Sequence, residues 1–196
     1  TPTKNFGNIF ALLILTIKNS IMKKILSLIT VVLFSVSTFA QLVLKNDPAH
    51  SRIQFAVIHL GINDITGNFD KAALTINADE KNFANSTLAF SADVNSINTH
   101  VEARDNHLKS PDFFDAEKFP TLEFKSTSLT KNKKNYYTLK GNLTMHGVTK
   151  PVTLTLVYRG STVNPMNKKT TYGYQVLGTL KRSDFNVGPN FPAPMI

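Results

Sequence analysis

The chain has 196 residues, 42% of them hydrophobic and 14 of them Phe, which fits one domain with a substantial core and a leader. It has no Cys, which excludes thiol nucleophiles, thiolate zinc sites, c-type haem attachment, disulfides and a lipid-modified Cys. The formal net charge is +9, but four of the 22 basic residues and no acid lie in residues 1–40, so the remainder carries 18 basic and 13 acidic residues, a net of +5.

Residue 1 is Thr, and the first Met is Met22. From there an export signal is complete: Lys23 and Lys24, an apolar run over residues 25–36, then Ser37-Thr38-Phe39-Ala40. Residues 1–21 are therefore expected to be upstream sequence with a mis-assigned start. Residues 22–40 are expected to be a signal peptide cut after Ala40, and residues 41–196 an exported domain, periplasmic or secreted. The alternative is a membrane anchor that also uses residues 9–17, but neither apolar run approaches the ~20 residues needed to span a bilayer, and Lys18, Lys23 and Lys24 lie between them.

From residue 42 onward the pattern has period two, the mark of half-buried strands. Ile53, Phe55, Val57 and His59 alternate with polar neighbours, as do Leu88, Phe90, Ala92 and Val94. Leu122 and Phe124 do so too, then Tyr137, Leu139, Gly141, Leu143 and Met145, then Val152, Leu154, Leu156 and Tyr158. Tyr172, Tyr174, Val176, Gly178 and Leu180 form the last set, and weaker strands are predicted over residues 62–69 and 72–78. The Lys-rich residues 131–134 and 168–169 read as solvated turns, and no nucleic-acid partner is expected.

One helical insertion is predicted, at about residues 100–118. Thr99-His100-Val101-Glu102 has the spacing of a capping box, with a helix to Lys109. Ser110-Pro111 then restarts a helical turn carrying Phe113 and Phe114, and Phe119-Pro120 ends it. The fold class is all-β: an extended antiparallel lipocalin-like barrel shape of about eight strands with this insertion, a β-sandwich being the alternative. Such a barrel can be filled by its own side chains or hold one small ligand.

Asp47-Pro48-Ala49-His50-Ser51, Phe55-Ala56-Val57-Ile58-His59-Leu60-Gly61 and Thr66-Gly67-Asn68-Phe69 come first. Ser96-Ile97-Asn98-Thr99, Arg104-Asp105-Asn106-His107-Leu108-Lys109-Ser110, Asp112-Phe113-Phe114-Asp115 and Phe119-Pro120 follow. The series closes with Gly141-Asn142-Leu143-Thr144-Met145-His146-Gly147-Val148-Thr149-Lys150-Pro151 and Arg182-Ser183-Asp184-Phe185. In this order the chain resembles the YceI-like family of lipid- and polyisoprenoid-binding proteins. The resemblance implies a lipocalin-like barrel, usually exported, whose apolar cavity takes an isoprenoid quinone or similar amphiphile. It implies no catalytic residue and no covalent cofactor. Because the family continues past Arg-Ser-Asp-Phe into a further strand, the domain is expected to lack its last strand and turn, about 20 residues.

The inward-facing residues expected to contact such a ligand are Phe55, Val57, Phe69, Phe90, Phe113, Phe114, Phe124, Leu139, Leu143, Leu154 and Tyr174, each of which is equally an ordinary core residue. His59 is expected to give that face a polar point near a ligand head group. Burial supplies ~0.8 kcal/mol per CH₂, so an isoprene unit contributes roughly 3–4 kcal/mol against an association cost of ~4–15 kcal/mol. A long tail offsets that cost; a small apolar molecule does not. Arg104, Asp105 and His107 form a polar cluster with two readings, a head-group contact or a structural pairing that fixes the helix, and the second is favoured. His50, His59, His100, His107 and His146 are scattered without metal-ligand spacing, so no metal is expected. No GxSxG elbow exists, and His50-Ser51, read as strand neighbours, point apart. The chain is expected to be a non-enzymatic lipid binder serving transport, storage or stress protection, with transient contact to a membrane surface. A structural envelope protein with a filled barrel, and then a hydrolase, are the alternatives.

Overall fold

The computed structural model describes residues 41–79 and 82–192. The expected upstream stretch and signal peptide lie outside the described residues. Among the described residues ten strands are formed: β1 (Leu42–Lys45), β2 (Ile53–His59), β3 (Asn63–Phe69), β4 (Ala72–Ala78), β5 (Thr87–Asp93), β6 (Ile97–Asn98), β7 (Thr121–Lys133), β8 (Tyr136–Met145), β9 (Val148–Val163) and β10 (Thr170–Leu177). All pairings are antiparallel. Seven strands form one sheet in the order β1-β4-β5-β7-β8-β9-β10, and β2-β3-β6 form a second.

The alternating strands are built as their sequences dictate. In β8 the burial runs Leu139, Gly141, Leu143 and Met145 in, with Lys140 and Asn142 out. In register, Phe124 sits opposite both Phe90 and Leu143, and Leu139 opposite both Leu129 and Leu154. One dry face therefore crosses the seven-stranded sheet, and its centre holds Ile76, Phe124, Leu139 and Leu156, each at most 1% exposed.

The sheet is strongly curled. Phe83, in a short 3-10 helical turn (Phe83–Asn85) between β4 and β5, stacks on Tyr174 of β10 with ring centroids 5.5 Å apart. Four strand spacings separate β5 from β10, about 19 Å in a flat sheet, so the contact requires curvature. Three register shifts supply it, between Ser126 and Ser128, Lys131 and Lys133, and Gly173 and Tyr174, because each bulge adds local twist and bend. Beside the first, the Ser126 hydroxyl accepts the Leu88 N–H at 2.8 Å, one residue past the last β5–β7 pair, Ala89 with Lys125.

The structure departs from the sequence reading at several points. Strands number ten rather than about eight, because β1 and the two-residue β6 are too short to show a period. Residues 131–133 extend β7, and the turn is confined to Lys134 and Asn135, the latter with φ 67°. Gly178 and Leu180 lie beyond the end of β10. The single helix among the described residues, α1, spans Glu102–Lys109, with Val101 at its N-cap and no side-chain cap. The capping box does not form: His100 turns left-handed at φ 61°, and the Thr99 hydroxyl is committed to Asp105 and Arg104. Residues 111–118 are turns rather than a second helical stretch, closed by Phe114 N–H to Leu108 O at 3.0 Å and Ala116 N–H to Lys109 O at 2.9 Å. His50-Ser51 lies in the loop before β2, not in a strand.

Candidate ligand-binding site

The dry face of the curled sheet is not uniformly sealed. Phe69, Phe113, Phe124, Leu139, Leu143 and Leu154 are buried in one hydrophobic cluster, and Phe55, Phe90, Phe114 and Tyr174 are only partly buried against it. Ten of the twelve expected contact residues are thus brought together. Val57 is half-buried outside that cluster, and His59, at the end of β2, is exposed. Phe90 stacks on Phe124 at 4.9 Å, while Phe55, Phe69 and Phe114 form a chain of rings at 5.8 and 6.0 Å.

Several of these rings depend on a facing glycine. A Cβ at Gly141 would lie 2.3 Å from Phe124 Cζ, and one at Gly67 would lie 2.5 Å from Phe55 Cζ. Leu154 stands in the same relation to Gly178, at 2.2 Å. Glycine here is a space requirement, the close approach that its missing side chain permits.

At one end of the sheet lies an aromatic mouth that the sequence reading did not assemble. Phe83 meets Tyr137 edge-on at 5.3 Å and stacks on Tyr174, which is tilted against Tyr158 at 5.4 Å. Burial, followed by the neighbouring phenols of Tyr158, Tyr172 and Tyr137, pushes the Tyr174 hydroxyl up to about 12. Tyr137 and Tyr158 were visible as members of alternating strands. Phe83 was not, since a short capped turn carries no period.

The Arg104 cluster is a clamp built on Thr99, which is 4% exposed. Arg104 donates through Nε to Thr99 Oγ1 at 2.7 Å and through Nη2 to Thr99 O at 2.8 Å. The Thr99 hydroxyl and N–H both donate to Asp105 Oδ1, at 2.5 and 2.8 Å. Arg104 and Asp105 are therefore coupled through one threonine, which ties α1 to the end of β6. His107 stands apart, 3.1 Å from Asp112 Oδ2 and edge-on to Phe113 at 5.0 Å. A second arginine does similar work: Arg182 Nη1 donates to Val187 O at 2.9 Å and Gly188 O at 2.6 Å, and Nη2 donates to Phe191 O. This wraps the chain so that Phe191 stacks on Phe113 at 4.7 Å.

A cleft of about 460 Å³ runs along α1, lined by polar residues including Asp70, Asn98, His100, Glu102 and Lys109. Its lining suits water rather than a lipid tail. Among the described residues no three His, Asp or Glu side chains are grouped to hold a metal. His50 pairs with Asp47 at 2.8 Å, and that hydrogen bond holds the exposed Asp47 carboxyl below its usual range. His146 places its ring edge-on to Phe119 at 4.8 Å, with Nδ1 buried and without a hydrogen-bond partner.

These features match known proteins. A UPF0312 protein of Staphylococcus aureus (strain N315) is 37% identical over 146 residues, covering 74% of this chain and 81% of the relative. Burkholderia cenocepacia BcnA superposes with a TM-score of 0.65 at 25% identity, over 72% of this chain and 84% of that one. The Campylobacter jejuni YCEI protein superposes with a TM-score of 0.62 at 31% identity, over 75% and 85%. The YceI-like domain model matches residues 44–196. With curled sheet, helical clamp and C-terminal wrap all inside the matched span, the chain belongs to the YceI-like family.

Proposed function

We propose that this protein is a non-enzymatic carrier of a long-chain amphiphile of isoprenoid type, held against the dry face of the curled sheet. The observation that supports this is the graded burial of that face and of the rings clustered with it. A fully packed core would bury every inward ring, yet Phe90, Phe55, Phe114, Tyr137 and Tyr174 stay only partly buried beside the sealed Phe124, Leu139 and Leu156. A tail laid along these rings removes further apolar surface from water at ~25 cal/mol per Å². That gain is non-directional and rewards length. The aromatic mouth around Tyr174 offers hydroxyl groups where a polar head would emerge. The carrier acts after export, its leader removed after Ala40.

Native mass spectrometry with organic extraction tests the reading, on protein exported from bacterial cells and purified without detergent. A stoichiometric co-purifying lipid is expected. A bare protein that also stays bare after incubation with quinones and polyprenols overturns it, in favour of a filled structural barrel.

A further inference from the structure

We infer that the rim formed by the β9–β10 hairpin and the β7–β8 turn docks on an anionic lipid bilayer, with Met166 as the residue that enters it. This goes beyond ligand carriage and requires no bound ligand.

The charge is distributed with unusual polarity along the chain. Between Glu123 and Asp184 there are 11 Lys and Arg residues and no Asp or Glu. That stretch builds most of β7 and all of β8, β9 and β10, so half of the seven-stranded sheet carries no carboxylate. Five of the eleven stand at the β7–β8 and β9–β10 turns. Lys131, Lys133 and Lys134 flank the β7–β8 turn, which is tied to β9 by Tyr158 N–H donating to Asn135 O at 2.8 Å. Lys168 and Lys169 stand in the β9–β10 loop. Among the described residues, none of these five lysines has an acidic partner. Lys133 lies over the exposed ring of Tyr136, 4.6 Å from its centroid.

The hairpin projects beyond this basic rim. Pairing of β8 with β9 ends at Tyr136 and Val157, whereas β9 and β10 remain paired out to Val163 and Thr170. Six further residues extend the hairpin by about 20 Å. Its end carries Val163 and Met166, 58% and 92% exposed.

The loop satisfies its own N–H groups. Asn164 Oδ1 accepts the N–H groups of Met166 and Asn167 at 2.9 and 3.4 Å. Asn167 Oδ1 accepts the N–H of Lys169 at 2.9 Å, Lys168 N–H reaches Asn164 O, and Asn164 N–H reaches Lys169 O. Pro165 has no N–H to satisfy. The N–H groups of the loop are thus all paired internally, so shallow insertion at the head-group level removes no N–H from a water partner. The combination selects the partner. Nucleic acid would use the lysines and gain nothing from an ordered, nearly bare Met; an anionic bilayer uses both, the lysines at the head groups and the thioether below them.

Vesicle co-sedimentation of the exported, leader-free protein tests this, with equimolar phosphatidylglycerol and phosphatidylcholine against phosphatidylcholine alone. Binding to the anionic vesicles and its loss at high salt are expected. Lys168→Glu with Lys169→Glu should weaken binding about tenfold or more, and Met166→Ser about threefold or more. Both variants change exposed side chains, and unchanged thermal unfolding verifies the fold. Lys45→Glu with Lys71→Glu makes the same change in net charge away from this rim and should leave binding nearly intact. No sedimentation with anionic vesicles, an equal loss in the Lys45/Lys71 control, or full binding by Met166→Ser overturns the inference. A carrier that co-purifies with lipid yet ignores vesicles would refute the docking surface alone.

Discussion

Replacing Phe124 with Ala separates a ring that fills the interior from one that merely borders it. Phe124 is 1% exposed, stacks on Phe90 at 4.9 Å and an interplanar angle of 12°, and covers Gly141. Truncating a buried Phe costs ~3–5 kcal/mol, depending on how well the surroundings collapse. Here collapse is poor, because Gly141 has no side chain to move in, and even a Cβ placed there would meet Lys125 O at 2.5 Å. The cost should lie in the upper half of that range, a large share of the ~5–15 kcal/mol available to a domain. The partly buried Phe90, replaced by Ala, should cost less, about 1–3 kcal/mol, and the double variant should reveal ~0.5–1.5 kcal/mol of coupling from the stack. Urea unfolding followed by circular dichroism measures all three, with an unchanged m-value showing the same transition. A loss below about 1 kcal/mol for Phe124→Ala would mean that this ring lines removable space, and the division of the dry face into sealed and open parts would fall.

Thr99→Val keeps the shape but removes the hydroxyl shared by Arg104 and Asp105, and should cost about 2–3 kcal/mol in urea unfolding; Thr99→Ser, which keeps the hydroxyl, should cost far less. Equal losses would show that the methyl, not the clamp, matters. Gly147 and Gly61 both have φ +72°, but a Cβ at Gly147 would lie 2.5 Å from the Phe119 ring and one at Gly61 would meet nothing within 4 Å. Gly61→Ala should therefore cost only the left-handed backbone penalty of ~1–2 kcal/mol and Gly147→Ala distinctly more, a difference that thermal unfolding detects. Tyr174 has its hydroxyl raised from 10.0 to about 12. The folded state holds that proton more tightly than the unfolded chain, so the associated stability is complete below pH 10.0 and is lost as pH rises through about 12. Urea midpoints across that window should fall less steeply for Tyr174→Phe than for the parent; parallel slopes would refute burial as the cause.

Most of the sheet was legible because a strand with one wet and one dry face writes its period into the sequence, as β8 and β9 do. Period gives the face but not the depth. Phe55, Val57 and His59 share one face of β2, yet burial fades from Phe55 to His59 as the strand leaves the core. Short elements escape for want of repeats, which is why β6 and the turn carrying Phe83 were missed. The helix start was misread because Thr99 had several acceptors and donors within reach, and the spacing that suggests Glu102 cannot show that Asp105 and Arg104 claim the hydroxyl instead. The Arg104–Asp105 association was visible as a cluster, but its centre, a buried threonine five residues away from the arginine in sequence, was not.

The phenylalanine–glycine contacts have a consequence for how this interior can change over generations. Phe124 with Gly141 and Phe55 with Gly67 each place a ring where a second side chain would otherwise stand. Each couple shares one allotment of volume between two positions on facing strands. Neither member can drift alone: enlarging the glycine evicts the ring, and shrinking the ring leaves a hole that the glycine cannot fill. Substitutions at these sites should therefore become tolerable only in concert, and anyone reshaping the interior to accept a different tail would do well to redesign each couple as a single unit.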